Sequence, residues 1–257
     1  MDRKAAVQAF ARFGLAAKGV VYMLIGLLAL AAARGSARAG DSHEAMTSLS
    51  DMPFGKTLVG IIGIGLLAYA LWRLYSGIAN PDDEKPGKRF VYVFTGLINL
   101  AVALEAIRYA FLSGNVETGN KAPHWTAELM SKPFGVWLVA AAGLIVAGYG
   151  VSHLVRAFRS KLDKFLRLGE LSGNTRTWVR RLARVGIAAR GIVFGVAGGF
   201  LVKAALEHDP SEARDLGASL QAMRGPFGGW LLGGIALGLF LYGFYNLVRA
   251  RYRVIQA

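Results

Sequence analysis

The sequence predicts an all-α polytopic membrane protein, with six transmembrane helices set out as three parallel helical-hairpin repeats in pseudo-threefold symmetry. Three observations carry this expectation. Six apolar runs are long enough to cross a bilayer, a Pro-Phe-Gly triplet recurs three times, and Lys and Arg are shared unequally between alternate connections.

Hydrophobic residues make up 54% of the 257 positions and charged residues 18%, below the roughly 25% charged of an average soluble domain. A bilayer core takes about 20 mostly apolar helical residues. Six segments qualify: Gly14–Ala33, Leu58–Ile78, Phe90–Leu112, Phe134–Val155, Ile187–Leu206 and Phe227–Val248. One such run could be a buried helix of a soluble protein. Six, separated by short polar stretches, exceed the polar surface available to cover them. The sequence has no cysteine, which removes disulfides, thiolate metal sites and a cysteine nucleophile.

The triplets are Pro53-Phe54-Gly55, Pro133-Phe134-Gly135 and Pro226-Phe227-Gly228. Proline suits the first turn of a helix, where its missing N–H costs nothing, so each triplet is expected to open a membrane helix. Sixteen residues after each proline stands a tyrosine: Tyr69, Tyr149 and Tyr242. The other helix of each unit repeats as well. Ala11-Arg12-Phe13-Gly14-Leu15-Ala16-Ala17-Lys18-Gly19-Val20-Val21 returns as Ala183-Arg184-Val185-Gly186-Ile187-Ala188-Ala189-Arg190-Gly191-Ile192-Val193. The middle copy is weaker, with Lys88-Arg89-Phe90-Val91-Tyr92 set against Lys18-Gly19-Val20-Val21-Tyr22. Two helices per unit bring every unit into the membrane from the same side, so the repeats are parallel, about an axis along the membrane normal. The expected organisation is hairpin repeats at residues 10–80, 86–158 and 182–252, with a basic linker at 159–181.

The net charge of +14 could suggest nucleic acid, but the charges fall between apolar runs rather than on a soluble basic face, and no nucleic-acid partner is expected. Lys and Arg number 21 in the segments on the side of the two termini and 9 in the opposite loops. By the positive-inside rule both termini are cytoplasmic, and anionic lipid head groups are the expected contact of that face. Phe158, Leu162, Phe165 and Leu166 among the basic residues suit either an interfacial helix or a plain linker. Short outer helices are expected over Glu44–Asp51, Trp125–Ser131 and Glu212–Arg224.

Polar groups at membrane depth are functional candidates by default. Arg73, His153 and Asn246 each stand twenty residues after their proline and one helical turn after the matching tyrosine. They read as a polar ring lining a cavity, or else as three interfacial anchors. Lys18, Arg190 and Lys88-Arg89 read as basic residues snorkelling to the head groups. Lys203 and Glu207, four apart, are placed to pair. Gly191-x-x-x-Gly195-x-x-x-Gly199 and Gly229-x-x-x-Gly233 favour close helix packing. There is no P-loop, no H-E-x-x-H and no Gly-x-Ser-x-Gly. His43, His124 and His208 fall one to each outer loop, where histidines are ordinarily solvated. No metal, cofactor or catalytic residue is expected.

The Ala-Arg-Phe-Gly-x-Ala-Ala-Lys-Gly stretch of the odd helix, and Pro-Phe-Gly followed by Tyr69-x-x-Trp72-Arg73 in the even one, resemble a bacterial membrane family catalogued as domain of unknown function 1206. The resemblance covers roughly residues 10–250. It implies three copies of a two-helix unit in a bacterial inner membrane and brings no activity and no catalytic residue. The middle unit departs from the pattern in lacking the Ala-Arg-x-Gly opening. The leading expectation is a non-enzymatic bundle that packs against lipid or a partner protein. The alternative is a channel or small-solute transporter with a path along the pseudo-threefold axis.

Overall fold

The computed structural model describes residues 3–35, 42–50, 54–80, 84–111, 122–159 and 173–252. Among them every regular element is helical: α1 (Arg3–Ala33), α2 (Ser42–Ser50), α3 (Gly55–Ile78), α4 (Pro86–Phe111), α5 (Ala122–Met130), α6 (Gly135–Phe158), α7 (Gly173–Glu207), a 3-10 turn at Pro210–Glu212, α8 (Leu216–Ala222) and α9 (Arg224–Tyr252). Six of these are long and apolar enough to cross a membrane: α1, α3, α4, α6, α7 and α9. The protein is a multi-pass membrane protein. The short helices α2, α5 and α8 lie between the spans of each unit, within or close to the three stretches expected to hold them.

The glycine of the first two triplets, not the proline, begins the helix, while Pro226 lies in the first turn of α9, ahead of the break at Gly228. Phe54 and Phe134 are the residues just before α3 and α6, held in the left-handed region at φ 61°. That conformation is costly for a bulky side chain. The glycine that follows starts the helix, and at Gly135 a Cβ would strike the Leu129 carbonyl oxygen at the end of α5. In the third copy the break falls one residue later, at Gly228 (φ 68°). Pro53 lies outside the described residues, as do Leu162, Phe165 and Leu166. The basic stretch before span five is partly helical: α7 begins at Gly173, and its 35 residues run roughly 50 Å at 1.5 Å per residue, well beyond the membrane core.

The spanning helices pack in the order α4, α3, α1, α9, α7, α6. Each even helix lies against the odd helix of the next unit: α3 on α4, α6 on α7, and α9 on α1. Within units, α1 packs on α3 and α7 on α9, but among the described residues no corresponding interface joins α4 to α6. The array is a ring with one seam open. Burial agrees: only 22% of the most apolar stretch of α4 and of α6 is buried, against 44–56% for the other four spans.

The inter-unit interfaces share a register that corrects the alignment of the middle unit. A Cβ on Gly19 would stand 2.9 Å from the Leu247 side chain, one on Gly191 3.0 Å from that of Leu154 and one on Gly96 2.9 Å from that of Leu74. These three leucines are repeat-equivalent, each twenty-one residues after the proline of its triplet. Gly96 therefore corresponds to Gly19 and Gly191, and Thr95, not Lys88, stands where Lys18 and Arg190 do. Seven residues are close to two helical turns, so the sliding keeps the same apolar face inward; that is why periodicity alone favoured the wrong match.

Candidate functional site

Most of the bundle's interior is apolar, with Val21, Ile25, Leu66, Val193, Leu232 and Leu239 among its core, but toward the end where α1 begins it turns polar. On each of five helices a pair of residues one turn apart faces inward: Lys18 and Tyr22, Tyr69 and Arg73, Tyr149 and His153, Arg190 and Phe194, Tyr242 and Asn246. The i,i+4 spacing puts both members of each pair on one helix face. Tyr92 of α4 completes the set from the sixth.

Two cations occupy the middle. Lys18 is 3% exposed and Arg190 5%. Lys18 Nζ donates to the Tyr69 hydroxyl at 3.2 Å and lies 4.3 Å from that ring's centre. Arg190 donates through Nε to the Tyr22 hydroxyl and through Nη1 to the Tyr242 hydroxyl, both at 2.9 Å. Its guanidinium faces four aromatic rings, those of Tyr22, Tyr149, Phe194 and Tyr242, at 4.9–5.4 Å. Arg73, half-buried, donates through Nε to the Tyr69 hydroxyl at 3.1 Å and stacks on Tyr92 at 4.4 Å. Tyr22 and Tyr242 meet edge to face at 4.8 Å, and Tyr149 and Phe194, repeat-equivalent to Tyr242 and Tyr22, do the same at 5.2 Å. Lys18 and Arg190 thus do not snorkel to the head groups; their side chains turn inward onto tyrosine.

The hydrogen-bond pattern assigns the histidine. His153 Nδ1 faces the Tyr149 carbonyl oxygen at 3.0 Å and must donate there, while Nε2, 3.0 Å from Arg190 Nη1, must accept. The ring is the neutral Nδ1–H tautomer. Asn246 is fully buried; it donates to the Tyr242 carbonyl at 2.8 Å and accepts from Arg249 Nη1 at 3.2 Å. Arg73, His153 and Asn246 therefore do not touch one another. Each joins a different part of the cluster, whose middle belongs to the odd-helix cations.

Donors outnumber acceptors heavily. Lysine and arginine only donate, and each tyrosine oxygen that accepts from a cation still carries its own proton to donate. Among the described residues no carboxylate pairs with Lys18, Arg73 or Arg190, and the charged groups that act on Lys18 include the other two cations. Ion pairs of described carboxylates outside the cluster include Glu84 with Lys88, and Glu207 and Glu212 with Lys203, the latter at 3.7 and 2.9 Å. No three His, Asp or Glu side chains converge as metal ligands among the described residues.

Depth follows from helix rise. Lys18 precedes the end of α1 by 15 residues, Arg190 the end of α7 by 17, and Arg73 follows the start of α3 by 18. At 1.5 Å per residue these are roughly 22–27 Å, so in a core about 30 Å thick the cluster sits near the face where α1 begins and α9 ends.

A ring of six apolar helices with a cationic, tyrosine-lined centre defines this chain as a polytopic membrane protein with an interior polar site. The chain belongs to the family described as Domain of Unknown Function (DUF1206), which matches three times, at residues 13–80, 90–160 and 185–253. Lys18, Thr95 and Arg190 each fall five residues after the start of a match, the same register the helix interfaces give. The chain is also similar to "Uncharacterized protein YxxB" of Bacillus subtilis (strain 168), with 31% identity over 258 aligned positions that cover 98% of this chain and 93% of that one. No solved structure matches the chain.

The sequence contained a signal for the two cations that went unused. Lys18 and Arg190 are the one basic position inside the eleven-residue match that lies well within the apolar run, with an aromatic residue four positions later in both copies.

Proposed function

We propose that the chain is a non-enzymatic bundle of the bacterial inner membrane, with both termini cytoplasmic, that binds anionic lipid. The single observation behind this is the buried cationic centre, which no described carboxylate balances and which lies beside a ring seam left open toward acyl chains. The 21-to-9 split of Lys and Arg supports the orientation, in which the cluster lies toward the cytoplasmic leaflet, just below its head groups. The hairpin organisation at 10–80, 86–158 and 182–252, with 159–181 as a basic linker and a pseudo-threefold relation between units, is part of the same reading; the recurring even-on-next-odd interface supports it. Purification in mild detergent followed by mass spectrometry of the bound lipid tests it: anionic phospholipid retained above its membrane abundance is expected, and protein stripped of lipid, or carrying only zwitterionic lipid, overturns it.

A channel or small-solute transporter is the second reading. It is favoured by the fact that all six spanning helices reach the central cluster. The Tyr22–Tyr242 contact and the Arg190 hydrogen bonds cross that centre, so conduction requires them to part. Equal anion flux in liposomes with and without the protein removes this reading.

A further inference from the structure

Lys18 and Arg190, both buried, and half-buried Arg73 bring three formal positive charges into one cluster drawn from α1, α3 and α7, with Lys18 and Arg73 on the same Tyr69 hydroxyl and Lys18 and Arg190 on either side of Tyr22. Burying an ion without a counter-charge is costly even after relaxation. Tyrosine hydroxyls and ring faces offset only part of that, since each cation–π contact is weaker than the desolvation it accompanies. A cluster built for stability alone would carry a carboxylate or apolar residues here. The groups present also share one chemical bias. The two guanidiniums are planar forks suited to tetrahedral oxyanions, the ammonium adds a compact charge, and the tyrosine O–H groups are left to donate.

We infer that this cluster is a binding site for a phosphate group, with Lys18, Arg73 and Arg190 as its charged ligands and Tyr69 and Tyr242 as the hydroxyls that hold those cations in place. The inference rests on the lipid-binding reading above and makes it specific to one site. Three cations match a phosphomonoester dianion or a phosphodiester with charge to spare. The seam supplies the way in. Tyr149, which lies 5.4 Å from Arg190, is half-buried, whereas its repeat-equivalents Tyr69 and Tyr242 are fully enclosed. On the other lip Tyr92 of α4 stacks on Arg73 of the neighbouring α3. A lipid phosphate at head-group depth can enter between α4 and α6 with its acyl chains remaining in the membrane; free phosphate would arrive from the aqueous face.

The test uses the full chain in detergent micelles and follows thermal unfolding. Three probes are added in parallel at matched ionic strength: sodium phosphate against sodium chloride, phosphatidylglycerol, and phosphatidylcholine. They are applied to wild type, Lys18→Met and Arg73→Gln, each first checked for a monodisperse profile. The expected result is a saturable rise in Tm of several degrees with phosphatidylglycerol and little with phosphatidylcholine, falling at least threefold in both variants. A comparable rise with sodium phosphate, absent with chloride and lost in the variants, supports the site and assigns the group to a free anion. Equal responses in wild type and in either well-folded variant overturn the site. If anionic lipid still co-purifies with Lys18→Met as with wild type, the site fails while the lipid-binding reading stands; if neither protein retains lipid, that reading fails first. Lys18→Met without ligand is expected to raise Tm, because it removes a buried charge, and a lower Tm in that variant counts against a cluster kept for ligand.

Discussion

The first and third units differ from the middle one at a single kind of contact, and that contact decides the shape of the ring. In units one and three, a glycine of the odd helix lies directly on the tyrosine of its own even helix. A Cβ on Gly14 would stand 2.6 Å from the Tyr69 backbone nitrogen, and one on Gly186 2.5 Å from that of Tyr242. With the register given by the interfaces, the middle unit has Val91 at this position. A valine cannot allow the backbone approach that the two glycines make, and here α4 and α6 share no such interface among the described residues and Tyr149 is half-buried. The same unit supplies Thr95 where the others have Lys18 and Arg190, so the open side of the ring is also the side without an odd-helix cation. The missing close contact and the missing cation thus fall in the same unit.

The largest expected effect comes from giving a terminal unit the middle unit's residue. Gly186→Val forces α7 and α9 apart against backbone, and overpacking of this kind costs about 3 kcal/mol or more. Loss of most monodisperse protein on fluorescence-detected size exclusion is expected, and wild-type yield would break the comparison. Next comes the seam. The chain has no cysteine, so engineered pairs read cleanly. Ala33→Cys with Gly233→Cys, whose Cβ atoms would lie 3.7 Å apart between the packed helices α1 and α9, should form a disulfide under mild oxidation. Val91→Cys with Tyr149→Cys should not, because a disulfide needs Cα atoms within about 7 Å; efficient cross-linking there means the seam closes. Thr95→Lys restores the missing cation at a buried position and is expected to cost about 1–3 kcal/mol in the absence of anion, read as a lower Tm.

The smallest effects lie outside the membrane. Asp215 caps α8 by accepting from the Ala218 amide at 2.7 Å, and Asp215→Ala should cost about 1 kcal/mol with no change in lipid response. Asp209 accepts from the Ser211 hydroxyl and from its amide, which together hold its carboxyl below the ordinary range. These hydrogen bonds contribute above the unfolded pKa and are lost as pH falls through the lower folded value, so Ser211→Ala should raise the Asp209 pKa read from its carboxyl chemical shift against pH.

Much of the molecule was readable before any coordinates. Six spans follow from length and apolarity because a bilayer leaves no other place for them. The outer helices, the Lys203–Glu207 pair and the equivalence of Tyr69, Tyr149 and Tyr242 also follow from spacing along the chain. What misled was the middle unit. A shift of seven residues preserves helical phase, so the Lys88 match looked as good as the true one at Thr95. Arg73, His153 and Asn246 were found by their equal distance from proline, yet equal spacing does not say what each touches.

The sequence by itself determined the solvent, the number of crossings and the threefold repetition, because these depend on hydrophobicity and on local periodicity summed along the chain. Only the tertiary structure decided that Lys18 and Arg190 turn inward and that the ring stays open between α4 and α6. Both outcomes depend on which helix backbones can touch, and whether a buried cation meets a tyrosine or a head group is settled by neighbours far away in the chain.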